Sequence, residues 1–154
     1  EMGLKVIIEK DKISDFFLQH SLSKDSFKDY NQKRIENSIP DSLLDLEINK
    51  SVLLEYNFDS INAIDWNKGC YVGQEITARM KYRALLKKSL IKISIIDGNV
   101  KPDDNIFFDK RSIGSVSSVS KDIGLAILRI DDAKNAFTND KMLETKEGRV
   151  KINF

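Results

Sequence analysis

The sequence predicts an α+β protein, with helices and loops over residues 1–88 followed by a small antiparallel β-barrel over residues 89–154. In the first part, Phe27, Tyr30, Arg34 and Ile35 recur at helical spacing. From Lys88 onward, short β-branched apolar runs follow one another at close intervals with polar turns between them. A module of many short strands has little else with which to cover its edges, so closing the sheet is the simplest solution.

Taken in order, Leu4 to Ile8 is a short apolar run with β-branched residues and is expected to be a strand. Ser23 to Asp25 can cap the helix that carries Phe27 to Ile35, and the helix must end before Ile39-Pro40 because proline disfavours helix in the residue before it. Residues 41–65 lack a long period and predict a wandering connection with short elements. Asn67 to Glu75 holds two glycines in five residues and leads into Ile76, Ala78, Arg79 and Met80, which predicts a loop feeding a helix N-terminus at about Tyr71 to Gly73. Leu90 to Ile96 reads as a strand stopped by the turn signal Asp97-Gly98-Asn99. Further strands are expected at Ile106–Phe108, Ile113–Val119 and Leu125–Ile130, and as a pair, 142–145 and 149–154, around Glu147-Gly148.

At 154 residues the chain is one domain or two very small ones, and 41% apolar with 32% charged residues excludes disorder, collagen and coiled coil. One cysteine cannot staple a secreted scaffold internally. No run approaches the roughly 18 apolar residues of a membrane span, and the first residues do not resemble a signal peptide. The expectation is a cytoplasmic protein, or a mitochondrial-matrix one if eukaryotic, with no membrane contact, as a monomer or weak oligomer.

The net charge of +1 conceals an uneven distribution: residues 1–65 carry −5 and residues 66–96 carry +6. The block Lys68, Arg79, Lys81, Arg83, Lys87, Lys88 and Lys92 is either a solvated basic face or a field that holds an anion, including RNA phosphate. Signatures for dinucleotides, the P-loop, zinc proteases and serine hydrolases are absent. His20 reads as a surface or packing residue, Asp103-Asp104 as turn chemistry and Asp131-Asp132 as the end of a strand.

Cys70 is the one residue with a chemical context. Lys68 places a cation nearby, Gly69 lets the backbone bend, and a helix beginning just downstream offers free amides and the positive end of its dipole, conditions that favour thiolate. The residues alone leave two readings open, a reactive thiol or a buried structural one, since free cysteine is among the most buried residue types.

Lys68-Gly69-Cys70-Tyr71-Val72-Gly73-Gln74-Glu75 resembles the K-G-C-Y-x-G-Q-E signature of the YgfZ family, folate-binding relatives of the glycine-cleavage T-protein. Arg34-Ile35-Glu36 through Ile39-Pro40 is similar to that family's R-I-E-x-G-I-P, with Ser38 where glycine is usual. Asn62 to Trp66, Thr77 to Arg83 and Gly124 to Arg129 extend the resemblance on both sides.

The resemblance implies the C-terminal half of a protein that assists assembly, insertion or repair of iron-sulfur clusters in client enzymes, including tRNA-modifying ones. It implies a tetrahydrofolate ligand, clusters held transiently or shared with partner proteins, and a T-protein-like folate-binding segment ahead of the barrel. Cys70 is then the reactive residue and cluster ligand. Glu36, Lys68, Tyr71, Gln74 and Arg79 are the folate-binding candidates: Glu36 for the pterin ring, Arg79 or Lys81 for the glutamate tail or a partner, and Gln74 with Glu75 for fixing the loop. A folate-dependent aminomethyltransferase using Glu36 and Asp65, and an RNA-binding module, are the competing expectations.

Overall fold

The computed structural model describes residues 6–83 and 86–153. Helix α1 (Ile13–Gln19) follows a 3-10 turn at Lys10–Lys12 and contributes no buried residue. Of the strand expected at Leu4 to Ile8, the first two residues lie outside the described ones, and Val6 to Ile8 is irregular and pairs with no sheet. His20 follows α1 and stacks on Phe16 with ring centroids 4.5 Å apart.

Helix α2 (Phe27–Glu36) is capped one residue later than the sequence suggests: Ser26 Oγ accepts from the Asp29 N–H. Its end explains a sequence detail. The Ser38 N–H bonds the Ile35 carbonyl and the Ile39 N–H bonds the Arg34 carbonyl, the paired closure of a Schellman cap. That closure holds Ser38 at φ 55°, a left-handed conformation that glycine adopts without strain. Residues 41–65 are turns around one 3-10 turn at Leu53–Tyr56, as expected. Asn57 ends this turn at φ 60°, and its side chain donates to the Leu90 carbonyl at 2.7 Å.

Helix α3 (Gln74–Tyr82) precedes the barrel, which is closed by β1 (Lys88–Gly98), β2 (Asn105–Phe108), β3 (Arg111–Ser120), β4 (Ile123–Arg129), β5 (Leu143–Glu144) and β6 (Gly148–Asn153). The strand order is β1-β4-β3-β2-β5-β6, antiparallel throughout. Gly114 is required by this closure, because a Cβ there would sit 1.9 Å from the Ile127 carbonyl oxygen on the neighbouring strand. The run read as one strand through Ile130 is interrupted: β4 stops at Arg129, and Ile130 starts α4 (Ile130–Thr138). Asp131 and Asp132 are therefore not a strand end. They occupy the first turn of a helix, where carboxylates complement the dipole. Helix α4 lays Ala133 and Ala136 into the barrel core with Ile93, Ile106, Val116, Leu128 and Val150.

A second apolar layer joins the barrel's outer face to the N-terminal part. Ile35 and Tyr56 pack on Leu90 and Leu125, with Leu46, Phe58, Ile123 and Ile127 around them. This is why β1 carries apolar residues on both faces at Leu90 and Ile91: Leu90 faces the helical layer while Ile91 and Ile93 face the barrel interior.

Within that layer Arg34 is 1% exposed and its ion-pair partner Asp45 is 0% exposed, with Nη1 and Oδ2 2.6 Å apart. Arg34 Nη2 donates to Ser118 Oγ on β3 at 2.7 Å, Nε to Asn31 Oδ1 at 2.8 Å, and Nη1 also to the Ile39 carbonyl. Asp45 accepts further from the Asp41 N–H at 2.7 Å and from Ser118 Oγ. Removing one partner of such a pair leaves an uncompensated buried charge, so Arg34→Ala should lose about 3–5 kcal/mol of unfolding free energy in urea. Arg34→Met with Asp45→Leu should recover part of that loss. Ser38→Gly should gain about 1 kcal/mol in the same measurement by relieving the left-handed serine.

Candidate functional site

Tyr71 to Gln74 forms a tight turn closed by the Gln74 N–H on the Tyr71 carbonyl at 3.3 Å. Gly73 holds its third position at φ 89°, ψ −5°, the conformation a type II turn demands there and one that L side chains resist. The Gln74 carboxamide reaches back to accept from the Tyr71 N–H at 3.2 Å. Lys68 lies over the Tyr71 ring with Nζ 4.2 Å from its centroid. The turn therefore defines α3 from Gln74, slightly later than expected.

The Lys68 ammonium sits on a π face, so its documented partner is the Tyr71 ring and not the thiol proposed from the sequence. The bend glycine is Gly73. Gly69 has no positive φ and open space where a Cβ would be, so the local fold does not require it. Cys70 is exposed, which removes the buried structural reading. Val72 beside it is fully exposed.

Asp65, Trp66, Lys68, Tyr71, Gln74, Glu75, Ala78 and Tyr82 line a hollow of about 240 Å³. Trp66 and Tyr82 meet edge to face with centroids 6.2 Å apart, and Lys81 Nζ lies 3.8 Å from the Trp66 centroid. Sequence reasoning missed Trp66 and Tyr82 as walls. The available signal was the helical spacing of Gln74 or Glu75, Ala78 and Tyr82, which puts them on one face of α3.

The five folate candidates do not come together. Lys68, Tyr71 and Gln74 line the aromatic hollow, and Arg79 is tied in an ion pair to Glu75. Glu36 lines a different, open hollow of about 600 Å³ with Asp25, Ser26, Asp29, Tyr30, Gln32 and Lys33. Hydrogen bonds from Gln32 and then Lys33 hold its carboxyl below the usual carboxylate range. The basic block is also divided: Lys68 and Lys81 sit on rings, Arg79 on Glu75, and Lys92 Nζ donates to the Glu36 carbonyl at 3.1 Å. Among the described residues no group of three or more His, Cys, Asp and Glu side chains is placed to hold a metal ion. No described helix is long and apolar enough to cross a membrane.

The barrel can be compared with known families at this point. Residues 87–153 match the family model described as the CAF17 C-terminal β-barrel domain. The matched segment begins one residue before β1 and ends with β6. Over a longer stretch the chain is similar to the mitochondrial iron-sulfur cluster assembly factor IBA57 homolog of Dictyostelium discoideum, 29% identical over 134 residues, which is 75% of this chain and 32% of that protein. The human mitochondrial iron-sulfur cluster assembly factor IBA57 is 29% identical over 105 residues, covering 65% of this chain and 30% of its own length. The Neurospora crassa homolog is 33% identical over 89 residues, 58% of this chain and 20% of that protein. The chain thus spans about a third or less of the length of these relatives. These similarities support the resemblance only at a coarser level, a C-terminal barrel domain and a likeness to iron-sulfur cluster assembly factors.

Helix α3 buries no residue, so strain in its leading turn acts locally. Gly73→Ala costs about 1–2 kcal/mol of left-handed strain. It should speed amide hydrogen exchange across residues 74–82 by roughly tenfold while the thermal midpoint of the barrel stays unchanged.

Proposed function

We propose that this chain is the cluster-handling C-terminal part of an iron-sulfur cluster assembly factor, with Cys70 as the thiol presented to a cluster carried by a partner protein. The observation that carries this reading is the placement of Cys70: exposed, beside an unobstructed Gly69, on a loop whose neighbours Lys68, Tyr71, Gly73 and Gln74 are all used to hold its shape. The names of the relatives, which carry the words iron-sulfur cluster assembly factor and mitochondrial, support it.

The cluster is cargo in this reading. One thiolate supplies one of the four ligands a cluster ordinarily takes, so the remainder belong to the partner. The step is ligand exchange: the Cys70 sulfur forms a bond to iron as one partner thiolate leaves, and that thiolate takes up the proton released by Cys70, with no change in oxidation state. A thiol that must stay free for ligand exchange suits a reducing compartment, such as a mitochondrial matrix or cytosol.

A folate would contact this chain at the aromatic hollow. At about 240 Å³ the hollow accommodates a ring and not a whole drug-sized ligand. The joined rings of Trp66 and Tyr82 would wall one side of a planar ring and Asp65 would accept from its amino group. The aminomethyltransferase alternative requires Glu36 and Asp65 to act on one amine, yet they line different hollows.

The test is Cys70→Ser in the full-length protein, assayed by restoring the activity of iron-sulfur client enzymes in cells lacking it. Client activity should fall to the level of the empty control while the variant accumulates normally. Full activity of the variant would overturn the reading.

A further inference from the structure

Where β1 begins and β4 ends, Lys87, Lys88, Arg111 and Arg129 line an open hollow of about 410 Å³ with Asp131 and Asp132. Lys88 and Arg129 are directly opposite one another in the antiparallel pair. Residues so placed project on the same face of the sheet, with Cβ atoms about 4.5–5.5 Å apart, and like charges there oppose folding. All four cations are exposed. Arg111 alone is neutralised, by Asp132; among the described residues no carboxylate lies within ion-pair distance of Lys87, Lys88 or Arg129. Lys88 acts on Glu47 through space, but Glu47 is already held by Lys50 at 2.8 Å. An anion supplied from outside would relieve this repulsion.

The lining selects the kind of anion. It contains no aromatic side chain on which a nucleic-acid base could stack. Asp131 and Asp132 interrupt the positive field, so the hollow suits spaced carboxylates on a protein surface and not the unbroken charge of a phosphodiester chain. The Arg111 to Asp132 pair is an internal example of a carboxylate seated in this cluster. We propose that Lys87, Lys88 and Arg129 form a docking surface for an acidic segment of a partner protein, whose carboxylates pair with the three cations. The surface is separate from the Cys70 loop and does not depend on cluster chemistry.

The experiment measures fluorescence anisotropy of a labelled peptide of alternating glutamate and serine with the full-length protein, with a labelled single-stranded RNA and inorganic phosphate as comparisons. The peptide should bind, weaken as salt is raised, and bind at least tenfold more weakly to Lys88→Glu with Arg129→Glu. Lys88→Glu alone puts a carboxylate opposite Arg129, so it should raise the thermal midpoint while weakening the peptide. Undiminished peptide binding by the variants, RNA binding tighter than the peptide at equal salt, or full displacement by millimolar phosphate would each overturn the proposal. An unchanged thermal midpoint in Lys88→Glu would do so as well, by removing the like-charge premise.

Discussion

The guanidinium of Arg34, sealed between α2 and the barrel, sets how α2 and the loop after it sit on β3. It ties one local stretch, α2 through Asn31 and the loop after it through Ile39 and Asp45, to β3 through Ser118, 84 positions away. A buried pair of this kind adds little net stability compared with well-packed hydrocarbon, but it tolerates one arrangement only, because every donor needs its acceptor. The apolar contacts of Ile35 and Tyr56 with Leu90 and Leu125 supply the attraction between the layers, and Arg34 fixes their register. The Leu53–Tyr56 turn, on which α3 leans, is placed by the same layer.

The motif separates into residues that the local fold uses and residues that it does not. Gly73 provides a left-handed turn position, Gln74 closes that turn, and Lys68 and Tyr71 stack together. Glu75 is engaged by Arg79 one helical turn on. Gly69 and Cys70 have no such work: a side chain at Gly69 would meet nothing, and the sulfur faces solvent. Residues free of structural duty inside a well-shaped loop are those on which a function can act.

Much of the barrel was legible in the sequence because its strands carry β-branched runs with turn residues between them, and periodicity of that kind survives in a single chain. Helix α4 was not, because Ile130 prolongs the apolar run of β4 and masks the start of a helix whose own signal, the helical spacing of Ile130, Ala133, Ala136 and Phe137, was present in the sequence. Helix α1 escaped for the opposite reason, as it buries nothing that would mark a face. The loop and helix around Cys70 were anticipated, while the aromatic hollow beside it was not: Trp66 and Tyr82 lie sixteen positions apart and meet only when the chain turns at Gly73. The role of Arg34 was invisible because nothing local links it to Asp45 or Ser118.

Since α3 and the loop before it donate no side chain to either apolar core, the barrel's persistence is independent of what those positions hold. Amino-acid changes there escape the folding filter that governs Ile93 or Leu128. At Gly69 and Cys70, which the arm's own turn does not use either, the choice of residue is consequently a record of what the arm touches.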